Sequence, residues 1–296
     1  MTVGILHCGE LGTVIAQLLA ADGFRVASVV TGRSPETRAR AERAGVELFD
    51  TLGELLDTAD VVLSTVHPAG ALKVAQTCSP VVRPNAIYVD LNSIGIDSSK
   101  EICATVESAG FAYVAGSVQG MSAKLEDMGV VYLSGPRADD VVSLFGRVAR
   151  VEQLGDDPHL AKVMKLLLAG TSKGLPMLFL EVAVIAERAG LGERFTTELE
   201  GFYPALAELI NRSLPSYQQH AFRRIGEVAA IEELADSVGA DHEMLAGARL
   251  LLEKNWKAWS ELDSPPSVDA IVRSAAEAAP SNKGAAGDVL ESPPST

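Results

Sequence analysis

Up to about residue 153 the chain alternates short β-branched runs with amphipathic helical stretches, and beyond that point it stops doing so. "TVGIL" is followed by "TVIAQLLAAD", "RVASVV" by "ETRARAERAG", "DVVLSTV" by "GALKVAQTC", and "AIYVDLN" by "SKEICATVESAG". "FAYVAGS" and "GVVYLSG" read as later strands. Repeated strand-helix units imply a parallel sheet with helices on both faces, a doubly wound α/β domain of Rossmann type. Such a sheet binds its ligands at the carboxyl ends of its strands.

After "LGDDP" the pattern is helical only. Asp157 and Pro158 suit an N-cap and a first helical position. They open "HLAKVMKLLLAGTSKGLPMLFLEVAVIAERAG", which is apolar on nearly all sides and so belongs in a core or at a subunit interface. Pro176 removes one backbone donor and is expected to kink this helix. The expected organisation is a nucleotide-binding domain over residues 1–155, an all-α domain over 156–263, and a Pro/Ser/Ala-rich tail over 264–296, disordered at its end.

The composition narrows the partners. The chain has 296 residues, 47% of them hydrophobic, which is enough for two domains with a sizeable core. With 25 Lys and Arg against 39 Asp and Glu, the formal net charge is −14. That balance argues against nucleic acid and anionic membranes, while leaving room for a local basic pocket. Cys8, Cys78 and Cys103 fall in no metal-ligand spacing, so no metal site is expected and a reduced, cytoplasmic protein is the simplest reading. Gly9 and Glu10 interrupt the first apolar run, unlike a secretion signal, and Glu181 and Glu187 break the later one below the roughly 18 apolar residues of a membrane span.

The first strand-to-helix turn is "GILHCGELG", residues 4–12. Gly9 and Gly12 stand where a dinucleotide fingerprint has its second and third glycines, and His7 takes the place of the first. An ordinary turn is the plainer alternative. Its position, after an N-terminal strand and at the head of a βα series, favours a pyrophosphate site made of His7, Cys8, Gly9, Glu10, Leu11 and Gly12. The next strand ends in "VVTGRSPETRAR", with no acidic residue for a ribose hydroxyl but with Arg33 and Ser34. Arg33 suits a 2′-phosphate, so NADP is expected, with NAD still possible. A solvated loop arginine is the alternative.

"VGILHCGELG", "DVVLSTVHP", "YVDLNSIG" and a helix carrying "KVMKLLLAGTSKG", in that order, resemble the β-hydroxyacid dehydrogenases, the group containing 3-hydroxyisobutyrate and 6-phosphogluconate dehydrogenases. The nearer resemblance, over about residues 3–255, is to a branch with a phosphogluconate-dehydrogenase-like C-terminal domain of unknown function. It implies that Asn92 and Ser93, within Asp90-Leu91-Asn92-Ser93, hold a substrate carboxylate, although Asn and Ser also favour caps and turns. It implies further substrate contacts at Ser117 and Gln119 in "AGSVQG". Val66 and His67 are expected near the nicotinamide.

The family's catalytic lysine matches Lys165; Lys162 competes, and the interval to Lys173-Gly174 decides for Lys165. Independently, a lysine on so apolar a helix is costly unless it meets water, an anion or a partner. Lys173 is expected to support the substrate, because Ala169 stands where the family has an asparagine. Ser172 replaces the glutamate of decarboxylating members, which argues against oxidative decarboxylation. His220, Arg224 and Glu227 share one helical face, for which an Arg224–Glu227 ion pair is a simpler account than catalysis. The resemblance implies an NADP-dependent oxidoreductase on a small 3-hydroxy acid or its carbonyl, homodimeric through the helical domain. An imine reductase and a catalytically silent nucleotide-binding protein are the alternatives.

Overall fold

A computed structural model describes residues 1–32, 34–78 and 85–278. Arg33 and the end of the expected tail lie outside the described residues. The strands are β1 (Thr2–Ile5), β2 (Arg25–Val29), β3 (Glu47–Phe49), β4 (Val61–Ser64), β5 (Ile87–Asp90), β6 (Ala112–Gln119), β7 (Val130–Ser134) and β8 (Arg150–Gln153). Between them run α1 (Glu10–Ala21), α2 (Pro35–Arg43), α3 (Leu52–Thr58), α4 (Ala71–Cys78), α5 (Ile96–Ser108), the single turn α6 (Leu125–Met128) and α7 (Asp139–Phe145). Helices follow alone thereafter: α8 (Leu160–Arg188), α9 (Gly192–Phe202), α10 (Pro204–Ser213), α11 (Tyr217–Val238), α12 (Glu243–Ser260) and α13 (Val268–Ala278).

The strands form one sheet in the order β3-β2-β1-β4-β5-β6-β7-β8. The order reverses at β1, so the loops leaving β1 and β4 face each other across the point where a doubly wound sheet opens a crevice. Alternate residues feed the two faces: Val61, Leu63, Ile87 and Val89 enter one core, Val62 and Tyr88 the other. The expected all-parallel sheet needs one correction, because β7 runs antiparallel to β6. The connection Gly120–Gly129 is shorter than the dozen or so residues that a parallel crossover needs, so the chain can only turn back.

The chain divides into two compact units, Met1–Ala169 and Gly170 onward, and the division falls inside α8 rather than at residue 155. The first turns of α8 belong with the sheet because Ala161 is fully buried in its second core. Pro176 stands inside α8 without ending it. In the helical unit Met177, Phe179, Leu180 and Ala183 pack with Leu252, Trp259 and Ile271. The expected tail also needs correction: α13 contributes Ile271, Val272 and Ala275 to this core, and the Trp259 indole donates to the Ile271 carbonyl at 3.2 Å. The prolines before it mask an apolar triplet at helical spacing. Pro204 likewise starts α10 anew where one long helix is the sequence expectation. Among the described residues α8 is the one helix long and apolar enough, by length and composition, to cross a membrane.

Candidate active site

β1 stops at Ile5 and α1 begins at Glu10, leaving Leu6, His7, Cys8 and Gly9 as the loop. Gly9 is the N-cap in an extended conformation, and no side chain caps the helix, so its first turn presents backbone N–H groups and the positive end of the helix dipole. Gly12 is required by contact: a Cβ there would lie 2.2 Å from the His7 carbonyl oxygen and 2.7 Å from Thr65 Oγ1. Thr65 Oγ1 donates to the His7 carbonyl at 2.8 Å, tying the ends of β1 and β4 together. The His7 imidazole lies over Gly9, where a Cβ would meet its Cδ2 and Nε2 at 3.1 Å. Cys8 turns its side chain into the core and Leu11 packs against that core, while Glu10 is exposed. A bare glycine loop at an uncapped helix start fits a diphosphate group, which the backbone of His7–Gly12 would hold.

Ser34 caps α2 by accepting from the Thr37 N–H at 3.2 Å, and it remains exposed. Val66 is half-buried against the second core, and His67 is exposed with Nδ1 accepting from the Ala69 N–H at 3.3 Å.

The ends of β5 and β6 carry a buried polar network. Asp90 is fully buried; its Oδ1 accepts from the Asn92 N–H at 2.9 Å and from Asn92 Nδ2 at 2.7 Å, and its Oδ2 accepts from the Tyr113 hydroxyl at 3.1 Å. Asn92 Nδ2 also donates to Ser64 Oγ at 2.8 Å. This corrects the expectation for Asn92: both amide hydrogens are used inside the protein and the residue is 2% exposed, so it shapes the turn rather than meeting a substrate. Ser117, at 1% exposed, is also too deep for the contact expected of it, whereas Gln119 at the end of β6 is exposed.

Tyr113 donates to Asp90, so it accepts from Ser99 Oγ at 3.0 Å, and Ser99 in turn accepts from His159 Nδ1 at 3.1 Å. Burial pushes the Tyr113 hydroxyl well above its ordinary range and keeps it a donor. Burial also lowers the His159 imidazole below its ordinary value.

Two lysines of α8 reach this region. Lys162 is 1% exposed, with Nζ donating to the carbonyls of Asp90 and Asn92 at 2.8 Å and Gly116 at 2.9 Å, and standing 3.4 Å from Asp90 Oδ2. Burial pulls its ammonium down and Asp90 opposes that pull. Lys165 Nζ donates to Ser93 Oγ at 2.7 Å and to the Val118 carbonyl at 3.2 Å. The structure thus brings Lys165 and Ser93 together. The inner network of Lys162, Tyr113, Ser99 and His159 is not legible in the sequence as a site; its one signal is the cost of a second lysine on the same apolar helix.

Within the helical unit Lys173 pairs with Glu227 at 3.0 Å, and Arg223 stands 3.5 Å from the same carboxylate. Arg224 instead lies over the Tyr217 ring at 3.8 Å and donates to Ser216 Oγ at 2.8 Å. The expected Arg224–Glu227 pair is thus replaced by Lys173–Glu227, which also engages the ammonium expected to support a substrate. Among the described residues no cluster of His, Cys, Asp or Glu suits a metal ion.

Comparison with known proteins agrees with this architecture. Residues 2–149 match the NAD binding domain of 6-phosphogluconate dehydrogenase, and residues 186–254 match a domain of unknown function, DUF1932. An uncharacterized 28.5 kDa protein of Methanothermus fervidus is 26% identical over 236 residues, 79% of this chain and 90% of that protein. A conserved hypothetical protein from Sinorhizobium meliloti superposes with a TM-score of 0.77 at 26% identity, covering 94% of this chain and 97% of that one. A Mycobacterium tuberculosis 3-hydroxyisobutyrate dehydrogenase with L-serine superposes with a TM-score of 0.73 over 92% of this chain and 98% of that one, and at 16% identity that likeness is one of fold. The chain belongs to the β-hydroxyacid dehydrogenase family, with the NAD binding domain of 6-phosphogluconate dehydrogenase in its first half and DUF1932 in its helical half.

Proposed function

We propose that this protein is an NADP-dependent oxidoreductase that interconverts a small 3-hydroxy acid, or a related alcohol, and its carbonyl compound. The observation that carries the reading is the Lys165 ammonium held at 2.7 Å from the Ser93 hydroxyl at the carboxyl end of the sheet. The nicotinamide supplies or accepts the hydride when bound. The chain's own part is to handle the proton and the acid group. Reducing a carbonyl develops charge on its oxygen, and the Lys165 ammonium stabilises that charge and gives up a proton; in the oxidative direction the neutral amine takes one. The Ser93 hydroxyl, which accepts from Lys165, can turn its own hydrogen to a substrate carboxylate. The same ammonium favours a substrate whose reacting atom becomes an anionic oxygen over one whose reacting nitrogen is already cationic.

The cofactor preference rests on Arg33 and on the lack of an acidic residue between the end of β2 and the start of α2. Calorimetry with NADPH and NADH, on the wild type and Arg33→Ala, tests it. Tighter binding of NADPH that disappears in the variant supports the reading; no binding of either nucleotide overturns it. Spectrophotometric oxidation of 3-hydroxyisobutyrate and L-serine with NADP then tests the substrate class.

The protein is further proposed to work as a homodimer through its helical unit. Leu175, Leu178, Val182 and Ile185 repeat along α8 at alternating three- and four-residue steps and are 36–62% exposed. A seam of that spacing is self-complementary when a second copy lays the same helix against it.

A further inference from the structure

Lys162 stands one turn before Lys165 on α8 and therefore on the same side of the helix. At 1% exposed it cannot touch a substrate. An ammonium has three hydrogens, and here each has a carbonyl: Asp90 and Asn92 at the end of β5, Gly116 within β6. The parallel pairing of β5 with β6 ends at Asp90 and Ala115, after which β6 runs on to Gln119 against β7 alone. Lys162 thus fills the fork where the two strands part. A buried charge fully satisfied in this way is rigid, because moving it unpairs an ion in a low dielectric.

The acceptors of the two lysines are neighbours in the chain. Ser93, which accepts from Lys165, directly follows Asn92, which accepts from Lys162; Val118 follows Gly116 by two residues on β6. We infer that Lys162 is the positioning residue of Lys165: by clamping the carbonyls of Asp90, Asn92 and Gly116 to α8, it fixes where Ser93 and Val118 hold the Lys165 ammonium. The inference rests on Lys165 being the proton-carrying group of the proposed function. It assigns the paired lysines one turn apart two tasks, the inner one holding the frame and the outer one facing the chemistry.

The test follows the Lys165 amine directly, in protein carrying lysine labelled with ¹³C at Cε and ¹⁵N at Nζ, the signal being assigned by its loss in Lys165→Arg. The Lys162→Met variant removes the clamp but strands Asp90 as a buried charge and can fail to fold. The double variant Lys162→Met with Asp90→Asn removes both charges, and the new amide can still accept from Asn92 and donate to Tyr113. Leu63→Ala serves as a control that loosens the same sheet by cavity formation without touching either lysine.

The expected result is a Lys165 titration midpoint moved by about one unit or more in the folded double variant, the size that losing one good hydrogen bond gives, with no comparable movement in Leu63→Ala. A folded double variant whose Lys165 signal and midpoint match the wild type overturns the inference, as does an equal shift in Leu63→Ala. The readout needs neither nucleotide nor substrate, so it can fail while calorimetry upholds the oxidoreductase reading, and the reverse.

Discussion

The Lys165 ammonium donates to the Ser93 hydroxyl at 2.7 Å across 72 residues of sequence. If this pair handles the proton and the acid group, its two members fail differently when removed. Lys165→Met is expected to lower kcat by about 10²–10⁴-fold, the usual worth of a positioned proton donor, with NADPH affinity unchanged. Ser93→Ala is expected to raise the KM for the acid more than it lowers kcat. Steady-state kinetics on whichever 3-hydroxy acid the wild type oxidises fastest checks both, and full activity in Lys165→Met removes the lysine from the mechanism.

Gly12 offers a sharper test of the nucleotide loop than Gly9. A methyl group at Gly12 would stand 2.2 Å from backbone oxygen, which cannot yield without moving the turn, whereas at Gly9 it meets only the edge of the His7 ring at 3.1 Å. Gly12→Ala is expected to cost about 1–3 kcal/mol, as overpacking does, and to weaken NADPH binding at least tenfold. Gly9→Ala is expected to change stability less, because the imidazole can rotate away. Thermal melts and calorimetry on the pair read this directly, and a Gly12→Ala protein indistinguishable from the wild type contradicts the loop geometry.

What the sequence made legible follows from periodicity. The four strand-helix units and the switch to helix after residue 153 are visible because apolar spacing changes, whereas Ser93 is singled out by the family resemblance, and Lys165 by that resemblance together with the cost of a lysine on so apolar a helix. The antiparallel β7 is hidden, since "GVVYLSG" has the same composition as a parallel strand and only the short Gly120–Gly129 connection tells them apart. Asn92 and Ser93 look alike as donors, and nothing in "YVDLNSIG" says that the first is consumed by Asp90 and Ser64 while the second stays exposed. Lys162 is hidden for the same reason: three backbone carbonyls leave no mark on a sequence.

Acid sensitivity should trace in part to His159. Its imidazole, hydrogen-bonded to Ser99, is lowered below 6.5 chiefly by burial. As pH falls below 6.5 the unfolded chain takes up this proton before the folded one does, so the unfolded state binds more protons and stability declines with falling pH. Below the folded value both states are protonated and the loss levels off. Urea midpoints measured between pH 7.5 and 5.5 are expected to fall more steeply in the wild type than in His159→Gln; equal slopes contradict the assignment.

Cys78 is fully buried at the end of α4, and burial pushes its thiol up to about 12. At pH 8 almost no thiolate is present and the side chain does not meet solvent, so modification is expected to wait for opening of the fold. Iodoacetamide is expected to leave Cys78 unmodified in the native protein by peptide mass mapping and to label it quickly in denaturant. Rapid native labelling would mean that α4 opens far more readily than its packing implies.

The proposed dimer puts the last demand on α8. Its exposed apolar seam repeats at Leu175, Leu178, Val182 and Ile185, and each such side chain, already partly covered in the protomer, contributes about 0.5–2 kcal/mol if a second copy buries the rest. A glutamate at the centre of that seam would have to give up its hydration without a partner, a cost that outweighs the apolar contact it replaces. Leu178→Glu is therefore expected to convert a particle of twice 31.1 kDa into one of 31.1 kDa by light scattering, with the helical signal in circular dichroism retained because Leu178 is not part of the unit's own core. A wild-type mass of 31.1 kDa overturns the dimer, and a variant that stays paired moves the interface off this face of α8.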